Sequence, residues 1–268
     1  MTQVKHQATV PALDADALGH HYGEHHVLRD VTFEVSSGEF VCIVGPSGVG
    51  KTTLLRCLSG LQCPSVGSVR FNGARVAGPP RELALVFQDY SRSLLPWASV
   101  IDNVALPLRA GGLRKREAAA AAADALHEVG LGGVDPSAYP WQLSGGMQQR
   151  VAIARALAYK PSIVLMDEPF ASVDAQTRAD LEDLVRRLQV DLGLTVLLVT
   201  HDIDEAVYLS DRIVALAGSP AGVADVVGVD LGSVRDQLET KLRPRFAELR
   251  AHVYRLIRGA RAQPSTSN

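Results

Sequence analysis

A glycine-rich segment between residues 45 and 52 has the composition needed to bind phosphate. It reads Gly-Pro-Ser-Gly-Val-Gly-Lys-Thr, follows an apolar run, and matches the pattern GxxxxGK[ST] between a strand and a helix. Its glycines allow successive backbone N–H groups to face phosphate oxygens, and the start of the next helix adds positive potential. We therefore predict a nucleotide-phosphate site formed by Gly45, Pro46, Ser47, Gly48, Val49, Gly50, Lys51, Thr52 and Thr53.

Four side chains near this loop are suited to phosphoryl transfer. We expect Lys51 to reach the β- and γ-phosphates and the Thr52 hydroxyl to ligate Mg²⁺. A second apolar run, residues 163–166, ends in Asp167 and Glu168. Asp167 is expected to hold the metal with Thr52, and Glu168 to accept a proton from the attacking water. An isolated Asp-Glu pair can simply end an exposed strand, but beside a phosphate loop the catalytic interpretation is favoured.

A second phosphate-recognising segment follows at residues 143–150, Leu-Ser-Gly-Gly-Met-Gln-Gln-Arg. It predicts a helix start with Ser144 as the capping hydroxyl and with exposed N–H groups at Gly145 and Gly146. This sequence resembles the signature of the ATP-binding-cassette family, and the resemblance covers residues 14–217. In that family the signature of one protomer closes over ATP held by the phosphate loop of the other. The resemblance therefore implies a head-to-tail homodimer with two shared sites.

The resemblance assigns roles to four further residues. Tyr22 matches the aromatic ring that stacks on adenine. Gln88 matches the glutamine that contacts Mg²⁺ or the attacking water and joins the core to a helical subdomain. Asp174 matches the loop at the dimer interface, although Ser-Val precedes it where the family more often has Ala-Leu. His201 matches the histidine that contacts the γ-phosphate.

The elements that position these residues follow from the hydrophobic pattern. Residues 31–35 and 40–44 are strand-like and lead into the phosphate loop. Strand-like runs return at residues 162–166 and 194–200, separated by an amphipathic helix at about 177–191. This alternation predicts an α/β fold with a parallel sheet and crossover helices, a P-loop NTPase (RecA-like) core.

We expect three regions along the chain. Residues 1–12 form a tail, residues 13–217 the ATPase domain, and residues 218–268 a C-terminal extension. The composition becomes helical between about 91 and 160, which predicts an inserted helical subdomain. Near the C-terminus an amphipathic helix is predicted because apolar residues recur at three- and four-residue spacing: Leu242, Phe246, Leu249, Val253, Leu256 and Ile257. We favour its packing on the nucleotide domain over contact with anionic lipid.

Composition excludes several functional classes. The formal net charge is −2 over 268 residues, so no basic field favours nucleic acid, and no nucleic-acid partner is expected. The longest apolar runs are far shorter than the ~20 residues that cross a bilayer. The first residues lack the apolar core of a secretory signal, so we expect the chain to stay in the cytosol.

Within the family, the chain most resembles the ATPase subunits of the nitrate, sulfonate and taurine importers. The resemblance rests on Leu94-Leu-Pro-Trp97, Ile101-Asp-Asn-Val104 and the signature. It implies ATP and Mg²⁺ as cofactors, permease subunits on other chains, an extracytoplasmic solute-binding protein, and a peripheral position on the cytoplasmic face of the membrane. The segment at Leu94–Trp97 either docks a membrane partner or packs in the core.

Two alternatives belong to other classes. The first is a soluble cassette ATPase acting on DNA or ribosomes, which is disfavoured because such proteins typically carry a long coiled-coil insertion or two cassettes. The second is a regulatory subunit that does not hydrolyse ATP, which Glu168 and His201 argue against.

Overall fold

The structure is a computed structural model that describes residues 10–89 and 93–259. Most of the expected N-terminal tail, the expected start of the helical insertion at residue 91, and the last nine residues of the extension lie outside the described residues. Within these two ranges no helix is long and apolar enough to cross a membrane.

The described residues form one ten-stranded sheet with the order β5-β4-β1-β2-β10-β9-β3-β8-β7-β6. The strands are β1 (Leu13–Tyr22), β2 (His25–Val35), β3 (Phe40–Val44), β4 (Val66–Phe71), β5 (Ala74–Arg75), β6 (Leu83–Val86), β7 (Ile163–Asp167), β8 (Thr195–Thr200), β9 (Arg212–Gly218) and β10 (Ala221–Gly228).

The helices are α1 (Lys51–Leu58), α2 (Val100–Ala110), α3 (Lys115–Glu128), α4 (Gly145–Leu157), α5 (Ala175–Leu192), α6 (Ile203–Leu209), α7 (Glu239–Leu242) and α8 (Pro244–Gly259), and a short 3-10 helix spans Pro140–Gln142. Helices α2, α3 and α4 lie between β6 and β7 in the chain, so the predicted helical insertion is confirmed. Its exact limits, like the other domain boundaries, stay a prediction.

The strands that carry the site form the parallel part of the sheet. Strand β3 pairs in parallel with β8 and β9, and β7 pairs in parallel with β8 and β6. Every residue of β3, β7 and β8 is buried, as expected for strands covered by helices on both faces. The predicted α/β fold with a parallel sheet and crossover helices is confirmed.

An antiparallel part, which the sequence did not predict, extends the same sheet. Strand β1 pairs antiparallel with β2 and β4, and β10 pairs antiparallel with β9. The polar residues 20–26, which include four histidines, obscure the apolar alternation at the junction of β1 and β2. Strand β10 lies beyond residue 217, so the expected boundary between domain and extension falls inside a strand hairpin.

The C-terminal amphipathic helix is present as α8 and packs on the protein core. Phe246, Leu249 and Val253 are buried in the same core as helices α2 to α6, which confirms the predicted packing. Leu242 is an exception, with 80% of its surface exposed. It ends the separate short helix α7 and precedes Pro244, whose fixed φ and missing N–H start a new helix, so Leu242 lies outside the α8 stripe.

Candidate nucleotide site

The phosphate loop lies between β3 and α1, and its backbone depends on glycine. Gly48 and Gly50 have φ values of 76° and 109°, where a side chain would be strained. Gly50 is the N-cap of α1, so the N–H groups of the first helical turn point toward the loop. The loop is therefore built as a concave set of backbone donors suited to phosphate.

Lys51 is almost fully buried and folds back over its own loop. Its Nζ donates to the carbonyl oxygens of Gly45 and Pro46 at 3.0 and 3.1 Å. Burial lowers the pKa of Lys51, against the opposing effect of the nearby Glu168 and Asp167 carboxylates. A polyanion placed in this loop would add countercharge to the buried ammonium, whose desolvation the two carboxylates only partly offset.

Asp167 and Thr52 form an oxygen-rich corner beside Lys51. Burial raises the pKa of Asp167, and a hydrogen bond from Thr52 partly offsets this effect. A hydroxyl and a carboxylate are oxygen donors that Mg²⁺ prefers, so these residues fit the metal. In the described part of the chain, no group of three or more His, Cys, Asp or Glu side chains is placed to hold a metal ion. A metal bound at this corner therefore needs additional ligands, which nucleotide phosphates and water can supply.

The Glu168 carboxylate is the point at which the predicted catalytic residues meet. Gln88 Nε2 donates to Glu168 Oε2 at 3.2 Å, and His201 Nδ1 lies 3.0 Å from the same oxygen. Lys51 Nζ lies 4.0 Å from the other carboxylate oxygen. The structure thus brings together all four residues predicted to be catalytic.

Glu168 also has an unusual backbone. Its φ is 43°, in the left-handed region that non-glycine residues seldom occupy. Its N–H donates to the Val199 carbonyl on β8 at 2.8 Å, which holds the residue in this conformation. Such strain persists where the surrounding structure enforces it and is common at functional sites.

The sheet topology explains why these residues converge. Lys51 follows β3, Gln88 follows β6, Glu168 follows β7 and His201 follows β8. These four strands are parallel neighbours, so their carboxyl ends lie at one edge of the sheet, where open α/β sheets bind ligands.

A cleft of about 850 Å³ opens at this edge. The phosphate loop, Lys51, Glu168 and His201 line it. Four residues that the sequence interpretation did not assign to the site line the cleft as well: Ile203 of α6 and Tyr254, Ile257 and Arg258 of α8. The amphipathic pattern predicted this last helix, but no local signal indicated that its final turn faces the cleft.

Tyr22, the predicted adenine platform, lies at the end of β1 and is about half exposed. Its hydroxyl donates to Gln62 Oε1 at 3.0 Å. Hydrogen bonds with Thr53 and Gln62 lower the pKa of Tyr22. Because Thr53 lies in the first turn of α1, the Tyr22 hydroxyl is near the start of that helix. Its stacking on a base stays a prediction.

The residues predicted to act across a dimer lie at the starts of two helices in this chain. Ser144 is the N-cap of α4 and accepts from the Met147 N–H at 3.3 Å, and Gly145 and Gly146 form the first turn. Asp174 is the N-cap of α5 and accepts from the Thr177 N–H at 3.0 Å. Within the described residues, neither Ser144 nor Asp174 lines the cleft of its own chain.

A buried polar cluster behind Glu168 was missed by the sequence interpretation. Thr200 donates its hydroxyl to Glu205 Oε2 at 2.6 Å, and Arg178 Nε lies 3.7 Å from Glu205 Oε1. A small cavity of about 40 Å³ joins this cluster to Glu168 and His201. Burial raises the pKa of Glu205 to about 7. No spacing of residue types marks the cluster, because it forms where β8 and two helices meet.

Residues 28–171 match a family profile described as ABC transporter. The chain is 44% identical to an aliphatic sulfonates import ATP-binding protein of Xanthomonas axonopodis pv. citri, over 89% of this chain and 94% of that protein. It is 40% identical to a taurine import ATP-binding protein of Yersinia pestis bv. Antiqua, over 82% and 85%.

Among solved structures, the fold is similar to a dimeric ATP-binding cassette in a post-hydrolysis state bound to ADP and phosphate. The TM-score is 0.70 and the identity 32%, over 81% of this chain and 98% of that chain.

Proposed function

Because this chain belongs to the ABC transporter ATP-binding family, whose members hydrolyse ATP, we propose that it is the ATPase subunit of an importer for small solutes of the nitrate, sulfonate or taurine type. The relatives' names describe import subunits, so they give no support to a soluble ATPase acting on DNA or ribosomes.

The observation that carries the proposal is the convergence on Glu168. Its carboxylate contacts Gln88 and His201, and it lies beside Lys51 at the open edge of the parallel sheet. Glu168 would accept a proton from the attacking water, while Gln88 and His201 hold its carboxylate in place. Lys51 and the loop N–H groups would stabilise the negative charge that develops on the phosphates.

Magnesium would be held by the Thr52 hydroxyl and the Asp167 carboxylate, with the side-chain oxygen of Gln88 as a further ligand. When bound, it neutralises charge on the β- and γ-phosphates. Burial raises the pKa of Asp167, and Thr52, Lys51 and Arg56 offset this only in part, so a bound cation would further stabilise the charged carboxylate.

We further propose that two copies of the chain share the nucleotides head to tail. Ser144, Gly145 and Gly146 form a helix start that does not line the chain's own cleft, so it would be available to ATP on the phosphate loop of a second copy. Asp174 would lie near the same interface. ATP would favour the closed dimer because it bridges both chains, and hydrolysis would remove that bridge and drive the attached membrane subunits.

The segment 94–97 is suited to contact a permease. Leu94 is buried in the core, whereas Trp97 has 74% of its surface exposed. Asn103 fixes this loop, since its amide donates to the carbonyls of Leu95, Ala98 and Ser99 and its oxygen accepts from the Leu95 N–H. A rigidly held, exposed tryptophan is typical of an interface anchor.

Contact with a permease would place the chain peripherally on the cytoplasmic face of the membrane. The likeness to import subunits supports a further proposal, an extracytoplasmic solute-binding protein in the same system.

Affinity purification of the tagged chain from detergent-solubilised native membranes, with ATP and Mg²⁺ present, tests the transport function. Mass spectrometry should identify a multi-span membrane protein among the copurifying chains. The variant Trp97→Ala should recover less of it, whereas Trp141→Ala, which removes another exposed tryptophan, should recover a normal amount. If only soluble chains or nucleic acid copurify, the importer function is wrong and the ATPase activity alone remains.

A further inference from the structure

The last helix of the described chain is held firmly against the nucleotide edge of the protein. Phe246, Leu249 and Val253 bury one face of α8 in the core. Arg250 forms an ion pair with Asp204 at 3.6 Å, which ties α8 to helix α6 directly after His201. These contacts determine where the final turn of α8 lies.

That final turn lines the 850 Å³ cleft that also contains the phosphate loop. Tyr254, Ile257 and Arg258 lie in the same cleft as Lys51 and His201. Ile257 is partly buried against the core, while Arg258 is exposed. The cleft therefore contains a second cation besides Lys51, supplied by a helix that follows the sheet in the chain.

Among the described residues, the Arg258 side chain differs from those of the other arginines of α8 in having no polar partner. Arg245 pairs with Asp230 and Glu248, Arg250 pairs with Asp204, and Arg255 donates to the Ala251 carbonyl. Within residues 10–89 and 93–259, the guanidinium of Arg258 makes no hydrogen bond or ion pair.

An unpaired guanidinium in a cleft is available to an anionic ligand. A guanidinium binds phosphate oxygens with two parallel N–H donors, which makes arginine effective at phosphate recognition. Arg258 lies in the last turn of α8, so its positive charge also offsets the negative end of the helix dipole, which would otherwise repel an anion at this position. Glu168 and His201 mark the side of the cleft where the terminal phosphate is expected, and both line the cleft with Arg258.

We propose that Arg258 is an additional phosphate-binding residue of the nucleotide cleft and that it strengthens the binding of ATP relative to ADP. The inference rests on the proposed nucleotide site. It adds a contact from outside the motifs that resemble the family, and it assigns the C-terminal helix a direct role in nucleotide selection.

The test is an equilibrium titration of the purified full chain with a non-hydrolysable ATP analogue and with ADP, both with Mg²⁺. Arg258→Gln should weaken binding of the ATP analogue about three- to fivefold, in keeping with one exposed charge contact, and change ADP binding less than about twofold. Arg258→Lys should restore part of the loss. The control Arg255→Gln removes an arginine of the same helix that does not line the cleft, and it should bind both nucleotides normally.

Steady-state kinetics provide a second readout, in which Arg258→Gln should raise KM for ATP and leave kcat nearly unchanged. The proposal is overturned if Arg258→Gln binds the ATP analogue as tightly as Arg255→Gln does. It is also overturned if the variant loses affinity for ADP and for the analogue equally, or if it binds one of these nucleotides more tightly than the wild type does. Lys51→Ala distinguishes failure of the Arg258 contact from failure of the nucleotide site. If Lys51→Ala too leaves binding of the analogue unchanged, the nucleotide site itself is misplaced.

Discussion

Gly146 in the signature helix has no room for a side chain, and this makes a quantitative prediction. A Cβ at Gly146 would lie less than 3.0 Å from Thr177 Cγ2, a separation that real Cβ atoms essentially never show. The Thr177 side chain cannot easily rotate away, because its hydroxyl donates to Asp174 Oδ2 at 2.7 Å. Gly146→Ala must therefore move α4 relative to α5.

The cost can be worked out from two opposing effects. Alanine favours a helix over glycine by up to about 1 kcal/mol, and less in a first turn. Overpacking against a β-branched side chain costs about 1–3 kcal/mol. Thr177→Ser removes the clashing methyl and keeps the hydroxyl that Asp174 accepts, so the double variant should escape most of the clash. We expect a coupling free energy of at least about 1 kcal/mol in the double-mutant cycle.

Urea denaturation followed by circular dichroism measures the four unfolding free energies of this cycle. Gly133→Ala is the matched control, since a Cβ at Gly133 would meet nothing within 4 Å and the change should be neutral or slightly stabilising. A coupling energy below about 0.5 kcal/mol would refute the steric reasoning, because the two side chains would then act independently.

Two further predictions concern buried polar groups. Burial raises the pKa of Glu205 to about 7, above its ordinary 4.5, so the folded state binds a proton that the unfolded state has released between these pH values. Stability contributed by this group is thus lost as pH rises through 7. Relative to the wild type, the free energy of unfolding of Glu205→Gln should rise by up to a few kcal/mol between pH 5 and pH 8, as measured by urea denaturation at each pH. A difference between variant and wild type that does not change with pH would contradict the raised pKa. Asn103→Asp replaces an amide that donates to three carbonyls with a buried carboxylate, and should destabilise the chain by about 2–4 kcal/mol in the same assay. A loss under about 1 kcal/mol would show that Asn103 does not hold the Trp97 loop.

Local patterns were sufficient for the parts of the site that lie next to strands of the parallel sheet. Strands β3, β7 and β8 appear in the sequence as short apolar runs, so the hydrophobic pattern alone places residues 51, 167, 168 and 201 at or after the ends of strands. Parallel neighbours bring their carboxyl ends together, which explains why Lys51, Glu168 and His201 meet, while the role of His201 came from the family resemblance.

The remainder depends on contacts between segments distant in the chain. The pairing of β1 with β4 and of β10 with β9 is set by long-range register, which no local period reveals. Arg258 lies in a helix whose apolar stripe the sequence predicts, yet its place in the same cleft as Lys51 depends on how α8 packs on the protein core. Asp174 was assigned by resemblance to a dimer interface, and its local role as the N-cap of α5 emerges only from the structure.

The most direct test of the proposed catalytic arrangement is the steady-state ATPase rate of the purified chain with Glu168→Gln. The amide keeps the shape of the side chain and can still accept from Gln88, but it cannot accept a proton from water. We expect turnover to fall by about a hundredfold or more, the range expected for loss of a general base, while ATP binding is retained. If Glu168→Gln hydrolyses ATP at the wild-type rate, Glu168 is not the base and the proposed catalytic arrangement is wrong.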